Sequence, residues 1–174
     1  MKLFVLILFI FTSILADKIT RTQIIMGTYI TIGLKKEDKA FFQSSFEIFK
    51  EIDNNLSTYK TSSPVYILNE KKQINSTPIL SEAISLSRIF YDDTQGYFDI
   101  TIGSLTKDSY RFGEKPRVPN EKERKNAYTN INDIQIKHNL ITISQKIKFF
   151  ISNSISGILK KQTNIWRMIY RKAS

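Results

Sequence analysis

Apolar positions recur along this chain in two distinct periods, and the switches between them predict its elements. Residues 19–34 are rich in Ile, Thr and Tyr and are broken by Gly27 and Gly33, which predicts a strand pair or one long bent strand. Gly27 inside a strand pattern reads as a bulge or a close backbone approach. From Asp38 the period lengthens. Phe42, Phe46, Phe49, Ile52 and Leu56 fall at spacings of 4, 3, 3 and 4, one apolar stripe of a helix over 38–56, with Glu47, Lys50 and Glu51 off the stripe. Residues 54–64 are polar and turn-like, and Val65 to Asn69 is a short apolar element. Thr77 and Pro78 open a second helix as N-cap and first-turn proline. Its inner face is Leu80, Ala83, Ile84, Ser87 and Tyr91, and it ends near Thr94 before Gly96.

Phe98 to Ile102 reads as a short strand, and Lys107 to Asn130, with Pro116 and Pro119, as loop. Residues 134–143 alternate on both sides of His138-Asn139, a hairpin with His138 at its turn rather than in a catalytic role. Beyond Phe150 no period can be read. The expected fold class is α+β: a mostly antiparallel sheet of strands at 19–34, 98–102 and 133–150, with two main helices, 38–56 and 78–94, packed on one face.

Composition changes this picture in three places. The chain has 174 residues, 41% hydrophobic and 12% aromatic, enough to build a core. It has no Cys and one His, which excludes disulfide frameworks, thiolate metal sites, cysteine nucleophiles and poly-histidine metal sites. Residues 3–15 are apolar apart from Thr12 and Ser13 and lead to Ala16-Asp17. They predict a signal peptide over residues 1–16 and an exported protein, in the periplasm or at the periplasmic face of the inner membrane. The rival reading is an uncleaved anchor, which keeps membrane association open. The net charge of +10 is also uneven. Residues 1–114 hold 13 basic and 13 acidic groups, and residues 115–174 hold 13 and 3. A basic excess confined to one stretch of an exported chain argues for a solvated tail and against a nucleic-acid partner.

Several chemistries lack their motifs: there is no GxGxxG, GxxxxGK[ST], HExxH or GxSxG. Four polar clusters at loop positions remain: Met26-Gly27-Thr28, Leu56-Ser57-Thr58-Tyr59, residues 94–103 (Thr-Gln-Gly-Tyr-Phe-Asp-Ile-Thr-Ile-Gly), and Ile155-Ser156-Gly157-Ile158-Leu159-Lys160. Aromatics, a glycine turn, an acid and a late lysine suit a planar ligand bearing phosphates. Taken singly, Met26 and Phe98 read equally as core, Tyr59 as surface, Asp99 as a turn cap and Lys160 as a tail charge.

In this order, with Ser62 to Asn69 between the second and third, the clusters resemble the ApbE family, the FAD:protein FMN transferases. The resemblance runs over roughly residues 20–160, and residues 94–103 match the family signature at every defined position. It implies a flavin transferase domain with a T-fold-like architecture, incomplete here, over residues 17–160. It implies that FAD is the substrate and that FMN is moved, with Mg2+, onto a Thr or Ser of a target protein. Met26 and Tyr59 would contact the flavin nucleotide, and Tyr97, Phe98 and Asp99 would form another wall. Ser154 stands where the family has Asp, Lys160 would approach the nucleotide, and Gly157 would offer the metal a carbonyl.

The match also has departures. Lys161 replaces the family's closing Gly, and the family's later half, with its functional His and metal-binding Asp and Thr, has no counterpart. Residues 161–174 are expected to be a basic tail read out of frame, and little or no turnover is expected from the chain. Two other functions stay open: a non-catalytic flavin-binding or misfolded remnant, and an exported basic protein that binds anionic surfaces.

Overall fold

The computed structural model describes residues 18–150. The expectations for residues 1–16 and for everything after Phe150, including Ser154, Gly157 and Lys160, lie outside the described residues. The described residues divide into two compact units, residues 18–51 and residues 52–150.

The described part of the first unit is a hairpin and most of a helix. Strands β1 (Lys18–Ile25) and β2 (Thr28–Lys35) pair antiparallel in register from Lys18↔Lys35 to Ile25↔Thr28. The expected strand pair is therefore present, but Gly27 is not a bulge and Met26 is not in a strand. Met26 and Gly27 are the two-residue turn itself, with φ of 59° and 69°. Positive φ at both central positions is the type I′ geometry that matches strand twist, and it is unusual for a methionine at the first of them. A short 3-10 helix, Lys36–Phe41, leads into α1 (Phe42–Leu56). The predicted stripe is the inner face: Phe42 and Phe46 are buried with Ile25, and Phe49 and Met26 pack against that cluster.

The second unit takes over the end of α1, whose Ile52 and Leu56 are buried. It continues with α2 (Pro64–Lys71), β3 (Gln73–Asn75), α3 (Pro78–Asp93), a π-helical turn Ser104–Ser109, α4 (Glu121–Asn126), β4 (Ile134–Lys137) and β5 (Leu140–Ile143). Thr77 caps α3 as expected: its hydroxyl oxygen accepts the Leu80 N–H at 3.2 Å, and Pro78 follows. Leu80, Ala83, Ile84 and Ser87 are buried, with Leu86 beside them. The short apolar element at Val65 is a helix, because Pro64 occupies its first turn where no N–H is needed. The 134–143 hairpin forms with His138 (φ 54°) in its turn.

The antiparallel α+β class holds, with two corrections. The strands form two sheets, β1-β2 and β3-β5-β4, the latter recruiting a strand the pattern did not indicate. Phe98 to Ile102 is not a strand. Asp99 Oδ1 accepts both the N–H and the hydroxyl of Thr101 at 2.7 Å, a local turn that displaces ladder pairing. Only Ile102 bridges, parallel to Lys148. The Gly103 N–H donates to the Lys148 carbonyl at 2.9 Å, and the Phe150 N–H donates to the Ile100 carbonyl at 2.8 Å. Residues 107–130 are also more ordered than a loop. Asn120 and Glu123 form a reciprocal capping box at the start of α4.

Candidate functional site

The signature at residues 94–103 is built from its threonine outward. At the end of α3 the Thr94 hydroxyl donates to the Phe90 carbonyl at 2.6 Å and accepts the Phe98 N–H at 3.0 Å. That double role closes the loop between them. Gln95 and Gly96 adopt left-handed φ (54° and 86°), and the Gly96 N–H donates to the Tyr91 carbonyl. The result sorts the three predicted site residues by direction. Tyr97 is thrown outward, 95% exposed. Phe98 turns back onto Phe90, ring centroids 6.0 Å apart at 61°. Asp99 is engaged by Thr101, whose hydroxyl in turn accepts the Asn130 N–H.

Gly103 closes the signature for a steric reason. A Cβ there would lie 2.4 Å from the Lys148 carbonyl oxygen. The chain then enters the π-helical turn, and Lys107 on that turn reaches the Leu56–Tyr59 cluster. Its Nζ donates to the Thr58 carbonyl and stands 4.2 Å from the centroid of the Tyr59 ring. The Tyr59 hydroxyl donates to the Phe112 carbonyl at 3.3 Å, and Gly113 lies directly against the ring. Ser57 holds the turn, its hydroxyl oxygen accepting the N–H groups of Tyr59 and Lys60. Thr58 is buried, and its hydroxyl has no hydrogen-bond partner among the described residues.

The electrostatics are set by three lysines. Lys148 Nζ pairs with Asp108 at 2.7 Å, and Lys72 Nζ donates to the Ile147 carbonyl at 3.1 Å. Burial first, and then the charge of Lys148, push the pKa of both Lys72 and Lys107 below the ordinary lysine value.

Tyr59, Tyr97, Phe98 and Asp99 thus all stand in the second unit, and the turn after Gly103 carries Lys107 to the Leu56–Tyr59 cluster. Met26 stands in the first unit, at its strained hairpin turn. Sequence reasoning missed Lys107, Phe112 and Gly113. Gly113 at φ 93° was the one readable signal, a glycine where the backbone turns left-handed. Among the described residues no group of three His, Cys, Asp or Glu could hold a metal ion. Asp99 is engaged by Thr101 and Asp108 by Lys148. The described residues therefore do not fit the Mg2+ implied by the resemblance.

An exposed aromatic loop at a helix end and a tyrosine held by a lysine stand on an α+β scaffold. The chain belongs to the ApbE family, whose model matches residues 26–162. Its fold is similar to the ApbE protein of Thermotoga maritima, with TM-score 0.76, 18% identity, 90% of this chain and 53% of that one. It is similar to the Pseudomonas stutzeri flavinyl transferase ApbE in its apo form, with TM-score 0.70, 19% identity, 90% and 51%. It is also similar to the flavin transferase ApbE of Vibrio cholerae, with TM-score 0.65, 18% identity, 84% and 54%. The chain spans about half the length of these structures. No curated protein matches it.

Proposed function

We propose that this chain carries the nucleotide-binding wall of an FAD:protein FMN transferase, the enzyme class that moves FMN from FAD onto a Thr or Ser of a target protein. One observation carries the reading. Lys107, four residues beyond the signature glycine, lies over Tyr59, so the turn that follows one family motif contacts another. Tyr59 and Tyr97 offer ring faces to a flat heterocycle, and aromatic stacking is worth about 1–3 kcal/mol per base. These residues bind and orient. Transfer needs charge neutralisation at the pyrophosphate, which the family's Mg2+ would supply. The described residues do not build a site for the metal.

The proposal places the protein outside the cytoplasm, in keeping with the apolar leader, where its partners are FAD and an acceptor protein. It is tested by incubating the full chain with FAD, Mg2+ and a Thr-containing acceptor peptide. Retention of FAD on the chain is the required result. Release of AMP with FMN on the peptide then measures transfer. A chain that retains no FAD contradicts the proposal.

A further inference from the structure

Tyr59 is 56% exposed, yet its side chain is held on several sides. Its hydroxyl is tied to the Phe112 carbonyl, Gly113 lies against its ring, and Lys107 Nζ stands over the ring at 4.2 Å. A surface tyrosine with fewer partners would exchange rotamers, and a ligand stacking on it would have to order it first. Lys107 itself has unusual company. The adjacent carboxylate, Asp108, is ion-paired with Lys148, so it does not draw Lys107 away from the ring. What Lys107 holds instead is a backbone carbonyl, that of Thr58, and a π face. Partial burial lowers its pKa, as expected of an ammonium kept against the protein rather than in water.

We infer that Lys107 is a positioning residue for the nucleotide site: it covers one face of Tyr59 and fixes the ring so that a planar ligand stacks on the other. The inference rests on the flavin reading above. It explains why the lysine follows the signature so closely: the turn that ends at Gly103 against Lys148 sets where Lys107 emerges.

The test uses the full chain and FAD as probe, followed by flavin fluorescence, in four forms: unchanged, Lys107→Met, Lys107→Arg and Tyr59→Leu. Lys107→Met should weaken FAD binding about fivefold, the effect of losing one cation–π contact and the order it imposes. Its urea midpoint should stay unchanged. Lys107→Arg should restore most of the affinity, because a guanidinium also stacks on an aromatic ring. Lys107→Met should have no further effect in a Tyr59→Leu background. Without ligand, the Lys107 Hε resonances should be shifted upfield by the Tyr59 ring and return to ordinary values in Tyr59→Leu. Equal FAD affinity in Lys107→Met, a loss that persists without Tyr59, or unshifted Hε resonances would overturn the inference while leaving the flavin reading in place. Failure of the unchanged chain to bind FAD would overturn both.

Discussion

Asn69 and Phe149, 80 positions apart, are joined by two hydrogen bonds: Asn69 Nδ2 donates to the Phe149 carbonyl at 3.0 Å, and the Phe149 N–H donates to Asn69 Oδ1 at 2.6 Å. The side-chain amide acts as a short piece of backbone. It pairs a segment that no strand covers and places Lys148, and so the bridge at Ile102, beside the signature. Phe149 is fully buried and Asn69 is 8% exposed.

Asn69→Leu keeps the volume and removes both partners of a buried peptide group. Each unsatisfied group costs about 1–3 kcal/mol, so the substitution should destabilise the chain by roughly 2–4 kcal/mol. Urea denaturation checks this. A midpoint equal to that of the unchanged chain would show that the amide pair is dispensable.

Gly103→Ala tests the close approach that ends the signature. The new Cβ would lie 2.4 Å from the Lys148 carbonyl oxygen and 2.7 Å from the Lys148 Cβ, and backbone cannot yield as a flexible side chain does. The expected loss is about 3 kcal/mol. Exchange protection of the Gly103 amide, which donates to Lys148, should also fall. Retained protection would contradict the packing described.

Helices α1 and α3 were legible because their apolar positions repeat at helical spacing, and Thr77-Pro78 marks the second of them at its first residue. The 134–143 hairpin was legible by alternation. The stretch 98–102 was not: Phe-Asp-Ile-Thr-Ile alternates like a strand, but one carboxylate, Asp99, bonds Thr101 and prevents the ladder. The site divides the same way. Tyr59 and Tyr97–Asp99 were proposed from the order of the motifs, and Thr94 and Ser57 organise their loops locally. Lys107 was not, since its place over Tyr59 depends on contacts 48 and 49 residues apart in the chain. The capping box of α4 was readable as Asn120-x-x-Glu123 ahead of its charges, yet Pro116 and Pro119 made the region read as loop.

Glu123 supplies a pH test. Its carboxylate accepts from Arg117 at 2.6 and 2.9 Å and from the Asn120 N–H at 2.9 Å. Chiefly through the arginine, its pKa is pushed down to about 2. A folded-state value below the ordinary glutamate value of about 4.3 stabilises fully above that value and is lost as pH falls toward 2. A carbon-detected NMR titration should place the Glu123 midpoint near that lower value, with the α4 amides shifting in the same range. A midpoint near 4.3 would contradict the bidentate pair.

The lysine group makes the opposite end of the scale testable. Lys148→Met removes the like charge that depresses Lys72 and Lys107, so both should titrate higher than in the unchanged chain. In the window between their folded value and the unfolded lysine value near 10.4, the folded chain binds fewer protons and gains stability as pH rises. The substitution should narrow that window. NMR titration of the Hε resonances gives the result directly, and a fall in either pKa would contradict the electrostatic account.

The central claim is that the Tyr59 and Tyr97–Asp99 loops take a flavin nucleotide, and Tyr97→Ala tests it most directly. Tyr97 is 95% exposed, so its removal should leave the urea midpoint unchanged. The decisive measurement is an equilibrium FAD titration of the full chain against this variant. Saturable binding that weakens about tenfold on substitution, as expected for the loss of one stacked ring, is the predicted result. Equal affinity in the two chains, or no binding by the unchanged one, would contradict it.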